Sequence, residues 1–514
     1  MKKYSIFAVL LAALLFLSGC TSSVPIRKAG QVTLPPVSLE VTAPVGDTGE
    51  SLTEAVLFSL PNAQSGQLEY VSERILLSNT RHPAEYAIRR LFTYPGTTQV
   101  KALTDQAQLS LNPGSSVELS GDTATVNLAP SALSLSNQER YLVSRAITNT
   151  LTQWGDIKYV NILINSRHPG LDTAATLPLG ALTRSQDGDV AALWENADRV
   201  SASQSGPFSA IATLYYPVSA GRGILAESRL ITAKEKNLSQ LAQSLLQALS
   251  IKPDNLPNTL AVPDLTILLA QAPVIVESAG STGRIVRLHF QESMNEALIA
   301  AGIPRSVMMA SLTYTLTTFL PYTSGVSVTI GDEEVTAVVP AGLYEGAGEE
   351  IVFDKGVMQR TQFERFLLNH CSLYFRNAQN GLTETLRPVP YYQASSLRYL
   401  INQLIQGPKN TDSVTGLSPV LPDHLNDADL LGITRKNDTA LVHFSENLRT
   451  EAKAYTDQDE LIMVYAMVNT LTKTLGTDQV CFFINNSQEG MFANRLDLAG
   501  VFLRNEGIIS KNGL

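Results

Sequence analysis

The chain has 514 residues, 44% of them hydrophobic and 17% charged, with a formal net charge of -9. At roughly 150 residues per domain this is material for about three domains, each able to bury a core. The acidic balance is the reverse of the basic footprint that a nucleic-acid binder carries. Three cysteines exclude a disulfide-dense scaffold and a four-thiolate zinc site, and six histidines leave little for a histidine-rich metal centre.

Lys2 and Lys3 precede an apolar run from Tyr4 to Leu17, which ends in Leu17-Ser18-Gly19-Cys20. A run this short, with one charged flank and a small-residue exit, reads as an export signal. Leu-Ser-Gly-Cys resembles the bacterial lipobox. That resemblance implies cleavage before Cys20 and lipidation (palmitate included) of its thiol and new amino end. The alternative is an ordinary signal peptide or signal anchor with an incidental cysteine. Residues 1–19 are thus expected to be a signal peptide, and Cys20 the lipid attachment site on the extracytoplasmic face of the cell membrane. Diacylation supplies the second chain that stable anchoring needs. Residues 20–53, with Pro25, Pro35, Pro36 and Pro44 and no helical period, read as a flexible tether.

One unit then occurs three times. Thr150-Leu151-Thr152, Thr315-Leu316-Thr317 and Thr470-Leu471-Thr472 are identical. Each closes a helical apolar stripe: Val143, Ile147, Leu151; Met308, Leu312, Leu316; Met463, Met467, Leu471. Period-two strands come next, at Val160, Ile162, Ile164, at Val326, Val328, Ile330 and at Val480, Phe482, Ile484. Others precede, at Ala124, Val126, Leu128, at Val286, Leu288, Phe290 and at Ala440, Val442, Phe444. Earlier still lies a first helix in each copy, stopped by Pro95, Pro253 and Gly407-Pro408. The second and third copies hold register over a 155-residue interval, from Pro253 to Pro408 and from Thr315 to Thr470. Chance matching does not preserve two helices and a strand in this way.

Each copy opens with an apolar strand (Val56-Leu57-Phe58, Leu214-Tyr215-Tyr216, Leu373-Tyr374-Phe375), giving the order strand, helix, strand or hairpin, helix, strand. The expected fold class is α/β in the sense of an α+β two-layer sandwich. It comprises three tandem related domains, each a mixed sheet packed against two helices. The expected bounds are 54–185, 207–360 and 361–514, with a linker at 186–206 and an extra loop from Asp332 to Glu350.

Three segments of the third copy resemble the GerMN domain of the GerM family: Leu404-Ile405-Gln406-Gly407-Pro408, Ala440-Leu441-Val442-His443-Phe444-Ser445 and Val468-Asn469-Thr470-Leu471-Thr472. In the first copy Ala124-Thr125-Val126-Asn127-Leu128 and Asn149-Thr150-Leu151-Thr152 do the same. The second copy departs, with Tyr314 in place of the asparagine and no Gly-Pro after Ser250-Ile251. The resemblance implies an envelope lipoprotein of a spore-forming bacterium, linked to the channel complex between mother cell and forespore and to germination. It also implies small α/β modules of the kind that stack side by side in rings.

Candidate chemistry is sparse. There is no Gly-x-Ser-x-Gly elbow, no His-Glu-x-x-His and no phosphate loop. The acids of Asp423-His424-Leu425-Asn426-Asp427-Ala428-Asp429 lack the glycine and glutamate of a calcium loop and read as a solvated loop with a helix cap. His289 and His443 share one repeat position, where the first copy has Asn127, and suggest a polar site on the sheet's second face rather than catalysis. His82 and His168 sit in loops. Cys371 and Cys481 read as two packing residues, a disulfide being the alternative if Cys371 faces outward. Glu73-Arg74, Glu227 with Arg229 and Glu384 with Arg387 recur as acid–base pairs. The sequence therefore predicts no enzyme, catalytic set, cofactor or metal, and no nucleic acid. It predicts a lipid-anchored assembly protein that contacts other envelope or sporulation-complex proteins, as a possible homo-oligomer or ring. The alternative is a ligand- or cell-wall-binding lipoprotein with pockets between domains.

Overall fold

The computed structural model describes residues 52–77, 82–103, 109–170, 180–185, 208–218, 222–235, 237–278, 283–340, 348–436, 438–474 and 476–510. The signal segment, Cys20, most of the tether and the linker at 186–206 lie outside them. Among the described residues no single helix is long and apolar enough to cross a membrane.

The first unit begins with β1 (Leu52–Pro61) and β2 (Leu68–Leu77), followed by α1 (Pro83–Phe92). Then come β3 (Glu118–Ser120), β4 (Thr123–Leu128), α2 (Asn137–Leu151) and β5 (Tyr159–Ile164). The second has β6 (Phe208–Pro217), β7 (Ile224–Ala233), α3 (Leu238–Leu249), the single turn α4 (Leu265–Leu268), β8 (Val274–Glu277) and β9 (Arg284–Phe290). It continues with α5 (Ser293–Ala301), α6 (Arg305–Phe319), β10 (Thr323–Ile330) and the short pieces β11 (Glu333–Glu334), β12 (Ala337–Val338) and β13 (Ile351–Val352). The third has β14 (Leu368–Arg376), β15 (Leu382–Pro390), α7 (Leu397–Ile405), β16 (Leu430–Lys436) and β17 (Thr439–Phe444). It ends with α8 (Glu446–Ala452), α9 (Asp457–Leu471), β18 (Gln479–Ile484) and β19 (Phe502–Leu503).

The order is the same in all three units. An antiparallel hairpin and a helix are followed by a second hairpin, whose latter strand pairs in parallel with the last strand across a helical crossover: β4 with β5, β9 with β10, β17 with β18. Three separate sets of buried apolar side chains, one per unit, make three cores. The expected stripes lie inside them, with Leu151, Leu312, Leu316, Met463, Met467 and Leu471 fully buried.

The opening strand differs from its expected form. It is one arm of a ten- or nine-residue hairpin that stays apart from the mixed sheet. The repeated threonine ties this hairpin to the crossover helix. Ser59 N donates to Thr150 Oγ1 at 3.0 Å, Tyr215 N to Thr315 Oγ1 at 3.1 Å and Tyr374 N to Thr470 Oγ1 at 3.3 Å. In the first unit Leu57 N also donates to Gln153 Oε1. One donor on the outer edge of each hairpin, and two in the first unit, is thus satisfied by a helix side chain. The second threonine of each motif bonds back to its own helix, Thr152 to Thr148 O, Thr317 to Thr313 O and Thr472 to Val468 O.

The recurring acid–base residues fall on the second hairpin strand, and their pairing corrects the sequence reading. Glu73 binds Arg90 of α1, and Glu384 binds Lys473, while only Glu227 and Arg229 pair as expected. The arginines of units two and three instead cap the first helix. Arg229 reaches Ile251 O and Lys252 O, and Arg387 reaches Gln403 O and Gly407 O. Arg387 also makes a two-pronged pair with Asp412, Nε to Oδ1 at 2.6 Å and Nη2 to Oδ2 at 2.7 Å, with both side chains fully buried. Gly407 takes φ +74°, the left-handed step that ends a helix before Pro408.

Urea unfolding of the full chain checks both roles. Thr470→Val preserves shape but strands the buried Tyr374 N–H, and should cost about 1–3 kcal/mol. Thr472→Ala removes only a bond within the helix and should cost less. Arg387→Met should cost about 3–5 kcal/mol by leaving the Asp412 carboxylate buried and alone, and Arg387→Met with Asp412→Leu should recover most of that loss.

Candidate functional site

The units meet through polar contacts. The outer face of β4 and β5 lies on the hairpin of unit two. Thr123 Oγ1 and Ser228 Oγ are 2.8 Å apart, Asn161 Nδ2 donates to Thr213 Oγ1 at 2.8 Å, and Thr213 and Ser228 share a bond of 2.7 Å. All of these residues are buried. Ser120, in the tight turn of β3–β4, joins the three units. Its hydroxyl donates to Leu368 O at 2.6 Å and accepts from Ala226 N at 2.9 Å. The turn passes so close to β7 that a Cβ on Gly121 would come within 2.4 Å of Ala226 O, at a φ of +58°.

A charged link lies beside it. Arg360, at the end of unit two, binds Glu118 of β3 and Thr318 Oγ1, and its guanidinium sits 3.8 Å from the centre of the Tyr314 ring. Burial opposes the Arg360 charge, but Glu118 and the two tyrosines beside it more than compensate, and its pKa is raised. Burial pushes the Tyr314 hydroxyl well above the ordinary tyrosine range, with Glu118 adding to the shift. The asparagine that Tyr314 replaces has another role. Asn469 exchanges two bonds with the backbone of Asn505, and Asn149 accepts from Ser185 N, so each ties a returning segment to the helix.

Between units one and three runs a cleft of about 730 Å³. One wall is the start of α1 and the stretch 114–117, and the other is the segment 391–402 entering α7. Ser116 Oγ and Tyr391 Oη join the walls at 2.8 Å. Burial pushes the Tyr391 hydroxyl up to about 12, with the Glu118 charge contributing. Arg89 is paired within the cleft to Glu85 at 2.9 Å. Arg398 donates through Nη2 to Leu430 O, while its Nη1 and the Oδ1 of Asn402, both shielded from solvent, have no hydrogen-bond partner.

The residues singled out in the sequence scatter. His82 caps α1 by accepting from Ala84 N and bonds Asp156 at 3.0 Å; it lines the cleft. His168 is buried and accepts from Gly170 N. At the shared repeat position, Asn127 ties Ser115 to Ser166, His289 is half-buried, and His443 is buried and stacked on Phe483 at 4.4 Å. Burial holds the His443 imidazole below its ordinary range, against a hydrogen bond with Asn486. The three positions belong to separate units and form no common site. Asp429 is taken up by Asn426, Ser445 and Asn447, as a loop tie at the start of α8. No group of three or more metal-ligating side chains occurs among the described residues. Cys371 faces the third core and Cys481 the opposite side of its sheet, so the two thiols are separate. Burial pushes Cys371 up to about 12 and also raises Cys481. The cleft had no signal in the sequence, because its walls are some three hundred residues apart.

The family model described as Germane, sporulation and spore germination, matches residues 57–168 and 372–490. These stretches run from the opening hairpins of units one and three to just past β5 and β18. Among solved structures, the tandem GerMN domains of the sporulation protein GerM from Bacillus subtilis align at 14% identity over 59% of this chain and 100% of theirs, with a TM-score of 0.24. The first GerMN domain of that protein aligns at 16% identity over 26% of this chain and 96% of its own, with a TM-score of 0.20. No curated protein matches the chain. The first and third units are Germane domains, of the family described as sporulation and spore germination.

Proposed function

We propose that the chain is a membrane-anchored assembly protein of the cell envelope, attached through Cys20 and contacting other proteins of a sporulation or germination complex without catalysing a reaction. The observation that carries this reading is the junction of units one and two. There the sheet face of one unit already holds the hairpin of another through Thr123, Asn161, Thr213 and Ser228. A unit that docks a like unit within one chain has the chemistry to dock one between chains. The structural use of His82, His168 and Asp429 in a cap, a turn and a loop tie supports the same reading.

Deletion of the gene is expected to lower the count of heat-resistant spores or to delay germination, and chemical crosslinking in sporulating cells is expected to capture envelope proteins. Normal counts together with normal germination overturn the reading. Cys20→Ala should move the protein from the membrane fraction to the soluble fraction of the envelope. Retention in the membrane would refute the lipid anchor.

A further inference from the structure

Of the three opening hairpins, the first keeps a long strand edge open. β2 pairs with β1 alone. Leu57 and Ser59 turn their N–H groups outward to Gln153 and Thr150, so their cross-strand partners Ser72 and Tyr70 turn theirs away from β1 as well. Among the described residues no hydrogen bond reaches the N–H of Tyr70, Ser72 or Leu76. The other two hairpins close the matching stretch. In unit three Leu386 N donates to Ser413 Oγ and Leu386 O accepts from Ser413 N. Pro388 and Pro390 take the next two outward positions there and offer no donor. In unit two Ala226 N donates to Ser120 Oγ, and Ser228 is buried against Thr123. On the open edge of unit one Leu76 is 71% exposed and Tyr70 41%, with Leu57 beside them at 37%. A long edge of this kind, partly apolar and without proline, is a template for another strand.

The order of side chains along β2 points to the partner. Two copies of Leu68–Leu77 laid antiparallel about Ser72 place Leu68 opposite Leu76, Glu69 opposite Ile75, Tyr70 opposite Arg74 and Val71 opposite Glu73. No two like charges meet. The neighbouring registers that keep the same donors facing each other bring acids together. Glu69 meets Glu73 when the centre moves to Val71, and Glu73 meets itself when the centre moves to Glu73. Like charges directly opposed destabilise a strand pair, so charge selects the register at Ser72. Tyr70 already holds one guanidinium, with Arg184 5.1 Å from its ring centre. We propose that two copies of this chain pair through β2 about a two-fold axis at Ser72, so that their hairpins form one four-stranded antiparallel sheet. Ser72 exchanges both backbone bonds with its copy, and Leu76 lies against Leu68 at each end. This contact is distinct from the sheet-face junction of units one and two, and it holds whether or not the chain meets other envelope proteins.

Sedimentation velocity and thiol crosslinking of the full chain carrying Cys20→Ala test the proposal, since Cys371 and Cys481 are both buried. This parent is expected to show a concentration-dependent equilibrium between monomer and dimer. Ser72→Pro removes the central donor at a position that gives no bond to β1, and should weaken the dimer about tenfold or more. Leu76→Lys, which changes an exposed side chain and so tests the edge even if Ser72→Pro disturbs the hairpin, should weaken it on a similar scale. Under mild oxidation Ser72→Cys should link to its own copy, and an equal mixture of Tyr70→Cys and Arg74→Cys should link across, because opposed residues lie within disulfide reach. A parent that stays monomeric at every concentration, Leu76→Lys dimerising as tightly as the parent, or linkage through Glu73→Cys in place of Ser72→Cys would overturn the proposal. So would capture of a different protein by Ser72→Cys in sporulating cells in place of a second copy, which would make the edge a docking strand for that partner. A normal spore count would leave the results on purified protein untouched.

Discussion

A single hydroxyl on the crossover helix ties the opening hairpin to the body of every unit. An opening strand at the edge of a hairpin exposes a row of N–H groups, and in a mixed α+β domain the nearest competitor for them is the neighbouring sheet. Thr150, Thr315 and Thr470 each take one donor of that row, two residues before the end of the opening strand, and the buried leucine next to each of them anchors the helix in the core. The hairpin is thereby tied to the helix, forms a sheet of its own and offers one surface for docking. Unit one's sheet rests on that surface of unit two.

In the middle unit the position before the threonine has changed, and the packing around it has changed too. In units one and three an asparagine precedes the threonine and ties down a returning segment, at Ser185 and at Asn505. In unit two Tyr314 occupies the place and is fully buried against Tyr215, with Arg360 over its ring. The returning chain is held there by stacking and charge instead of by paired amide bonds, and Arg360 is left pointing at Glu118 of unit one. In unit two a tyrosine at this repeat position thus goes together with an ion pair between units. The stretches matched by the family model leave this unit out.

Much of this was legible in the sequence because it depends on local period. Apolar stripes at helical spacing and alternating strands gave three units, their order and their buried faces. Identity of the Thr-Leu-Thr motif marked it as constrained, but the constraint itself was hidden, since its partner lies some ninety to a hundred residues upstream on a strand edge. The second hairpin arm was missed because β2 (Leu-Glu-Tyr-Val-Ser-Glu-Arg-Ile-Leu-Leu) buries few of its positions and places Tyr70 and Leu76 on its exposed face, which hides the alternation in the sequence. Arg387 looked like half of a local acid–base pair with Glu384, whereas its fully buried partner Asp412 lies beyond the first helix. The cleft depends on how unit three packs against unit one, and no pattern within either unit encodes that.

The polar character of the junctions has a cause in the triplication itself. Three like units offer three like hairpins to one sheet face, and an apolar interface would accept any of them. In register, the positions that meet Thr123 and Asn161 are Thr213 opposite Ser228 in unit two. Their equivalents are Leu57 opposite Ser72 in unit one and Ser372 opposite Leu386 in unit three. Only the middle hairpin carries a hydroxyl at both places. A leucine there would bury the Asn161 amide or the Thr123 hydroxyl without a partner, at a cost of roughly 1–3 kcal/mol per group. The Glu118–Arg360 pair acts in the same direction. A buried ion pair adds little net stability, but a wrong neighbour would leave one charge buried alone, a heavier loss than any gain in packing. Polar junctions between apolar cores therefore let three copies of one fold assemble in a single order.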